Sequence, residues 1–235
     1  MGSGAGEKEG VIKFKSIPKD GAPASDYASL IKELDRWRSV LLIFGLIGKD
    51  NDGSGYGNLS GKILGNGGGS GLEFIITASQ TGHLPGLSPS DYVHVTECFP
   101  ERNRVYYAKG TGNAGHREPS SETMTHFAVY AETGAEFVFH LHSRAIWDAR
   151  SRLHIPSTPT NVPYGTPAMA AATRALLAKP SVAEGKIIAM GGHRDGIVTW
   201  GKIANEAGLT VLDYNARAVR LNAPQKAIFY KVPSG

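Results

Sequence analysis

The feature that most limits how this chain can fold is a repeated alternation between short strand-like runs and helix-like segments. Runs at 73–77, 92–96 and 104–108 are rich in β-branched and aromatic residues and are bounded by Gly, Pro, Ser and Asp, which is typical of β-strands. Helix-like segments alternate with such runs along the 235 residues. Because the alternation shows no internal repeat and no break in composition, it predicts one α/β domain.

Helical spacing and end signals predict the helices. From Ser25 the apolar residues recur at the spacing of an amphipathic helix as far as Leu41, and the helix ends near Gly45 or Gly48. Further helices are predicted at 119–134, 167–177 and 203–220, further strands at 136–143, 186–190, 196–200 and 227–232, and Gly-rich loops at 49–61 and 66–71.

The first residues of the chain are polar, rich in Gly and interrupted by Pro. We therefore expect residues 1–24 to form a flexible N-terminal arm and residues 25–235 to form the domain. The N-terminus lacks the basic and apolar regions of a secretory signal, and the longest apolar run, 40–47, is far shorter than the roughly 20 residues that span a bilayer. We expect a cytoplasmic protein that does not contact a membrane.

Charge and cysteine content narrow the possible partners. The formal net charge is +4 with a sequence pI of about 9.1, which favours a small anionic substrate. This excess of positive charge is too small to indicate a nucleic-acid-binding surface. Cys98 is the single cysteine, so internal disulfides and cysteine-cluster metal sites are excluded. Any metal must be held by histidines and carboxylates.

Two histidines in one strand-like run indicate a metal site. His140 and His142 alternate with Phe139 and Leu141, so the two imidazoles project from the same face, about 7 Å apart along the backbone. That spacing suits two ligands of one metal, while the apolar residues would pack on the core. Two ordinary strand histidines remain an open alternative.

A carboxylate near a helix start is the second candidate element. Glu122 directly follows Ser120 and Ser121 in the first turn of the predicted helix, where backbone N–H groups and the positive end of the dipole favour an anion. A carboxylate facing a metal-bound carbonyl compound could transfer a proton at carbon or oxygen. A carboxylate that only pairs with the helix dipole is the alternative.

Six short motifs together resemble the class II aldolase/adducin family over residues 25–215. They are Gly57-Asn-Leu-Ser-Gly61, Ile75-Ile-Thr-Ala-Ser-Gln-Thr-Gly82, Leu87-Ser-Pro-Ser-Asp-Tyr-Val93, Pro119-Ser-Ser-Glu122, His140-Leu-His-Ser143 and Gly196-Ile-Val-Thr-Trp-Gly201. The resemblance implies a three-layer α/β/α fold with a central, mainly antiparallel sheet. It also implies a homotetramer with active sites between subunits.

For the metal, the resemblance implies a divalent ion, most often Zn²⁺, held by His140, His142 and a third histidine. The family's third ligand stands immediately before a glycine, whereas this chain reads Gly191-Gly-His-Arg-Asp-Gly196. We expect His193 to be the third ligand, with Asp195 at the ungapped position as the alternative. Mn²⁺, Co²⁺ and Fe²⁺ are alternative metals.

For the chemistry, the resemblance implies that Glu122 is the catalytic acid/base. It implies that the substrate phosphate is bound by Asn58, Thr81, Gly82, Ser120 and Ser121. His126, one turn after Glu122, either orients that carboxylate or packs in the core.

The function that follows is a metal-dependent lyase of carbohydrate metabolism, similar to the L-fuculose-phosphate and ribulose-phosphate types of enzyme. It would cleave a small anionic hydroxy-carbonyl compound, a sugar phosphate or a keto or hydroxy acid, through a metal-stabilised enediolate. A decarboxylase, a dehydratase or an epimerase on the same scaffold is one alternative. A non-catalytic, adducin-like interaction module is the other.

Overall fold

The computed structural model describes residues 10–64, 71–109 and 117–223. Its helices are α1 (Ala28–Ile43), α2 (Thr123–Thr133), α3 (Arg144–Ala149), α4 (Pro167–Leu177), α5 (Pro180–Gly185) and α6 (Ala204–Asn222). Its strands are β1 (Lys15–Lys19), β2 (Gly48–Lys49), β3 (Gly55–Tyr56), β4 (Asn58–Lys62), β5 (Phe74–Thr77), β6 (Tyr92–Phe99), β7 (Arg104–Ala108), β8 (Phe137–His142), β9 (Ile187–Ala189) and β10 (Gly196–Gly201).

A mixed sheet of eight strands forms the centre of the described part of the chain, in the order β1-β7-β6-β5-β4-β8-β10-β9. Strand β1 pairs with β7 in parallel, and every other neighbouring pair in this sheet is antiparallel. The mainly antiparallel sheet that the resemblance implied is confirmed. Strands β4, β8 and β10 lie side by side, and they carry much of the candidate site.

Helices cover both faces of this sheet. On one face, Val138 and Val198 pack with apolar residues of α2 and α4. On the other face, Phe139 and Ile197 pack with residues of α1, α3 and α6. Because adjacent strand residues point to opposite faces, both faces carry an apolar core. The result is the predicted three-layer α/β/α fold.

The helix predictions agree with the structure to within a few residues. Gly134 takes φ = 64° at the end of α2, a left-handed conformation that glycine adopts without strain. Thr166 caps α4, since its hydroxyl accepts a hydrogen bond from the N–H of Met169. Within the described ranges, we find no helix with both the length and the apolar character that crossing a membrane requires.

The predicted loop at 49–61 is wrong at Gly55–Tyr56, which forms β3, and again in its last part. Asn58–Lys62 forms β4, which lies between β5 and β8. Gly61 explains the discrepancy, because a Cβ there would lie 2.5 Å from the Leu30 side chain and 3.3 Å from the Phe137 ring. This glycine permits α1 to approach the sheet and does not mark a turn.

The predicted arm at 1–24 is also wrong for the segment that forms β1. Lys15–Lys19 pairs with β7 at the edge of the sheet, and the N–H of Lys15 donates to the carbonyl of Asn103. An edge strand exposes one side to water and tolerates Pro18, so its composition resembles that of a loop. The predicted strand at 227–232, and the loop at 66–71 apart from Gly71, lie outside the described residues.

Candidate active site

Strand β8 positions the two histidines of the His-x-His motif. His140 is fully buried and His142 is partly buried, and both side chains lie on the face of the sheet that α2 and α4 cover. Antiparallel pairing fixes their register in the sheet, because Asn58 of β4 is the partner of His140 and Gly196 of β10 is the partner of His142. The face predicted for the two imidazoles is the observed one.

His193 lies in the turn that joins β9 to β10. Its N–H donates to the carbonyl of Met190, and the N–H of Gly196 donates to the carbonyl of His193, so two tight turns follow one another. Asp195 has φ = 63° in the second turn. The two residues between His193 and Gly196 are therefore accommodated within this turn, and β10 still pairs with β8 from Gly196 onward.

The three histidines converge at one point. One nitrogen from each of His140, His142 and His193 lies within 4.8 Å of the other two. The ring centroids are 4.8 to 5.2 Å apart. Three imidazoles with little exposure to water form a donor set that suits Zn²⁺ and other borderline divalent metals.

Asp195, the alternative third ligand, does not belong to this group in the described part of the chain. Its backbone carbonyl accepts a hydrogen bond from the N–H of Ser143, at the end of β8. Its carboxylate lies 3.8 Å from the guanidinium of Arg194, whose side chain is largely exposed. The structure thus brings His193, and not Asp195, to the two histidines of β8.

Glu122 lies at the start of α2, beside the histidines. It is fully buried, and its Oε1 is 4.0 Å from Nδ1 of His193. The hydroxyl of Thr125 donates to its Oε2 at 2.7 Å. One carboxylate oxygen is therefore fixed by the helix, while the other faces the third histidine.

His126 packs in the core and does not provide the hydrogen bond that orients Glu122. Its Nδ1 contacts the hydroxyl of Ser60 at 2.7 Å, and the same hydroxyl contacts Tyr130. Burial lowers the pKa of His126 to about 3, so the imidazole is neutral at physiological pH. Thr125, which the sequence analysis did not consider, makes the contact with the carboxylate.

Asn58 contacts the histidine opposite it in the sheet. Its side-chain amide lies 3.0 Å from Nδ1 of His140, and this contact is buried. The second amide atom, Oδ1, is buried and has no hydrogen-bond partner among the described residues. The structure thus places Asn58 beside a metal-ligand candidate, whereas the resemblance assigned it to the substrate phosphate.

Ser120 and Ser121 precede α2 and are both nearly buried. The hydroxyl of Ser120 accepts a hydrogen bond from the N–H of Glu122 at 3.3 Å, and its carbonyl accepts from Thr123. The Ser120 hydroxyl thus retains its own hydrogen for donation. Both serines directly precede the Glu122 carboxylate in the chain, and their role in binding a substrate stays a prediction.

Thr81 and Gly82 belong to a loop at 81–84 that α1 holds in place. Arg38 of α1 is nearly buried, and its Nη2 donates to the carbonyls of Thr81, Gly82 and Leu84. A Cβ on Gly82 would lie 1.9 Å from the carbonyl of Tyr56. The hydroxyl of Thr81 donates to the carbonyl of Ala78 and is already engaged within its own segment.

Besides Thr125, three further residues of this region were not found from the sequence. Tyr56 stacks on His142 with a centroid distance of 4.9 Å, and Tyr164 stacks on His193 at 4.6 Å. Arg38 was hidden among the polar residues of an amphipathic helix. None of the three lies in a recognised motif, so only the packing identifies them.

The chain matches the family model for the class II aldolase and adducin N-terminal domain over residues 47–218. Among curated proteins, no sequence is similar enough to match. Solved structures with the same fold include the L-fuculose-1-phosphate aldolase of Thermus thermophilus, at 20% identity with a TM-score of 0.56, covering 83% of this chain and 93% of that one.

Two more solved structures are similar. The sugar-phosphate aldolase of Thermotoga maritima has 16% identity and a TM-score of 0.60, covering 83% of this chain and 94% of that one. YgbL of Klebsiella pneumoniae, a candidate aldolase, epimerase or decarboxylase, has 19% identity and a TM-score of 0.59, covering 86% of this chain and 90% of that one. At such identities the likeness shows the fold, and the family match covers most of the chain. This chain belongs to the class II aldolase and adducin family.

Proposed function

We propose that this protein is a metal-dependent lyase that cleaves a small anionic hydroxy-carbonyl compound by a retro-aldol reaction. The observation that carries the proposal is the placement of the Glu122 carboxylate 4.0 Å from a histidine of a convergent triad, two of whose members are buried. Two of the similar structures are aldolases that act on sugar phosphates, which supports this substrate class.

His140, His142 and His193 would hold the metal, and the three-imidazole donor set fits Zn²⁺ best. When bound, a divalent metal supplies Lewis acidity toward a substrate oxygen. The contact of Nδ1 of His140 with the Asn58 amide leaves Nε2 as the nitrogen that would bind the metal. Nδ1 would then carry the hydrogen, and the Asn58 amide would be rotated so that Oδ1, in place of the amide nitrogen, faces it and gains a partner.

Glu122 would move the proton. Thr125 fixes Oε2, so Oε1 is the oxygen that takes a proton from the substrate hydroxyl and returns it at carbon. Its complete burial keeps water from competing for that proton. The N–H groups and hydroxyls at 120–121 would hold the anionic end of the substrate next to it.

The remaining assignments rest on the resemblance. We propose that the loop at 81–84 contributes backbone N–H groups to the anion, because the Thr81 hydroxyl is engaged internally. Assembly as a homotetramer, a role in carbohydrate metabolism and a cytoplasmic location stay predictions. The decarboxylase, dehydratase and epimerase alternatives use the same residues, so only a substrate screen separates them.

The adducin-like binding module is the alternative of a different class. It gives no physical reason for three imidazoles and a carboxyl group to converge with little or no exposure to water. Burying ionisable groups lowers the stability of the fold, so their presence in this site favours a catalytic role over a binding module.

The test is metal content per chain in the purified protein, in the variants His140→Ala and His193→Ala, and in His154→Ala, an exposed histidine, as the control. We expect near-stoichiometric metal in the wild type and the control and a loss in both site variants. A loss with His140→Ala alone would shift the third ligand to Asp195. No metal after reconstitution would overturn the enzyme proposal.

Glu122→Gln separates binding from chemistry in the same samples. We expect it to retain the metal and to lose roughly 10²- to 10⁴-fold in turnover of the best substrate from a screen of aldol, decarboxylation, dehydration and epimerisation reactions. Full activity of this variant would remove Glu122 from the mechanism.

A further inference from the structure

The ring of Tyr164 lies between His193 and a lysine from the start of the described chain. It is only 2% exposed and stacks on the His193 imidazole with 28° between the ring planes. The ammonium of Lys13 lies 3.6 Å from the centroid of the same ring. Because the imidazole covers one face of the ring, the ammonium lies against the other.

The segment that carries Lys13 also holds the polar ends of Tyr164. The N–H of Val11 donates to the phenol oxygen at 3.3 Å, and Nζ of Lys13 donates to the backbone carbonyl of Tyr164 at 3.1 Å. This segment is itself anchored, since Ser79 donates to the carbonyl of Gly10 and Asn103 to that of Lys13. The tyrosine is therefore fixed at its hydroxyl, its ring and its backbone.

The residues on either side of Tyr164 contact the other parts of the candidate site. A Cβ on Gly192, next to His193, would lie 1.8 Å from the carbonyl of Val162. Gly165 has φ = 67°, and a Cβ there would lie 2.9 Å from the carbonyl of Ser121. The segment 162–165 thus packs against both the third histidine and the segment of the catalytic carboxylate.

We propose that Tyr164, clamped by Lys13, is a positioning residue that holds the His193 imidazole in the orientation a metal requires. The inference rests on the proposed metal site and adds residues 10–14 to it. An imidazole held by a turn has more freedom than one in a strand, and a stacked ring removes that freedom. Contacts that orient a ligand of this kind typically contribute roughly 10- to 100-fold to metal affinity.

The test is the dissociation constant of Zn²⁺, measured by competition with a chelator and corrected for the folded fraction. We expect Tyr164→Leu to weaken Zn²⁺ binding about 10- to 100-fold. Tyr164→Phe keeps the ring and should restore affinity to within about threefold of wild type. A purely structural role would lower stability in Tyr164→Leu and leave the corrected dissociation constant unchanged, which would overturn the inference.

Lys13→Met provides a variant with little risk of misfolding. We expect it to weaken Zn²⁺ binding about threefold, the effect of a cation–π contact of modest strength. Lys19→Met is the matched control, because Lys19 lies 4.0 Å over the ring of Tyr106 at the far edge of the sheet. Equal affinity of both lysine variants and the wild type would contradict the role of Lys13.

The wild-type protein separates the two proposals. If it binds no Zn²⁺, the proposed function fails and this inference falls with it. If it binds Zn²⁺ and the Tyr164 and Lys13 variants bind equally well, only the inference fails.

Discussion

His140 and His142 are held by a strand, whereas His193 is held by a turn. The first two lie in β8, with paired strands on both sides, so the backbone ladder fixes their places in the sheet. The third depends on contacts with residues distant in sequence, which include Tyr164 and the carbonyl that faces Gly192. A site of this kind is therefore rigid on one side and dependent on its neighbours on the other.

The side of the site held by the turn, which carries His193, should be the easier one to destabilise. Gly192→Ala is the most direct test. The added Cβ would lie 1.8 Å from the carbonyl of Val162, a backbone atom that cannot move away cheaply. We expect a loss of about 4 kcal/mol in unfolding free energy and a melting temperature roughly 10 °C lower. Gly185→Ala, where an added Cβ would meet no atom of the described residues within 4 Å apart from its chain neighbours and its own helix backbone, should change stability by less than about 1 kcal/mol and is the control.

Arg38→Met tests the second loop-held element, the segment 81–84. The change leaves three backbone carbonyls without their guanidinium donor in a buried position. We expect a loss of about 3 kcal/mol, measured by urea unfolding. Arg36→Met removes an exposed ion pair with Glu33 on the same helix and should cost less than about 0.5 kcal/mol. Equal effects of the two variants would show that the loop does not depend on Arg38.

Helix α2, which packs on the same face of the sheet as His140 and His142, carries a pH dependence that comes from His126. Its pKa is about 3 in the folded protein, because of burial, and near 6.5 in the unfolded chain. Between these values the unfolded chain binds one more proton, so stability falls as the pH decreases, by about 1.4 kcal/mol per pH unit. Above about pH 6.5 this group contributes no pH dependence.

Unfolding of His126→Gln between about pH 6 and pH 4 measures that contribution. We expect its stability to fall less steeply with decreasing pH than that of wild type, by the slope given above. His154→Asn, which replaces an exposed histidine, should keep the wild-type slope. Parallel curves for wild type and His126→Gln would show that the imidazole is protonated in the folded protein.

Asn58→Ala tests the side of the site that is held by β8, and it is expected to have the smallest effect of these variants. It removes the contact with Nδ1 of His140 and leaves the ladder intact. We expect about tenfold weaker Zn²⁺ binding and little change in the position of β8. Asn205→Ala, which removes an exposed contact with Trp37, is the control. Unchanged affinity in Asn58→Ala would show that the ladder alone orients the imidazole.

The same contrast explains how much could be predicted from sequence. Alternation along β8 is a local property, so the shared face of His140 and His142 follows from two-residue periodicity. The four longer helices, α1, α2, α4 and α6, followed from apolar spacing and end signals, whereas the six-residue helices α3 and α5 were not predicted. Strand β4 could not be recognised from the sequence. Its Gly61 permits close packing with α1, but in the sequence this glycine cannot be distinguished from one that marks a loop.

The rest of the site depends on contacts between distant segments. Thr125, and not His126, holds the carboxylate, and only the orientation of α2 decides between the two. Tyr164 reaches His193 across the fold, and no motif surrounds it. Strand β1 was missed because an edge strand with Pro18 and exposed lysines lacks the apolar alternation of a buried one.

The clamp on Tyr164 also bears on how the protein is made. The hydrogen bonds from Val11 and Lys13 to Tyr164 join residues 153 and 151 positions apart. At synthesis rates of about 5 to 20 residues per second, the N-terminal segment waits roughly 8 to 30 s before its partner has been synthesised. The site is therefore completed late during or after translation, because Tyr164 and His193 both follow β8, and a nascent chain that ends before Tyr164 contains the paired histidines without the clamp and without the third histidine.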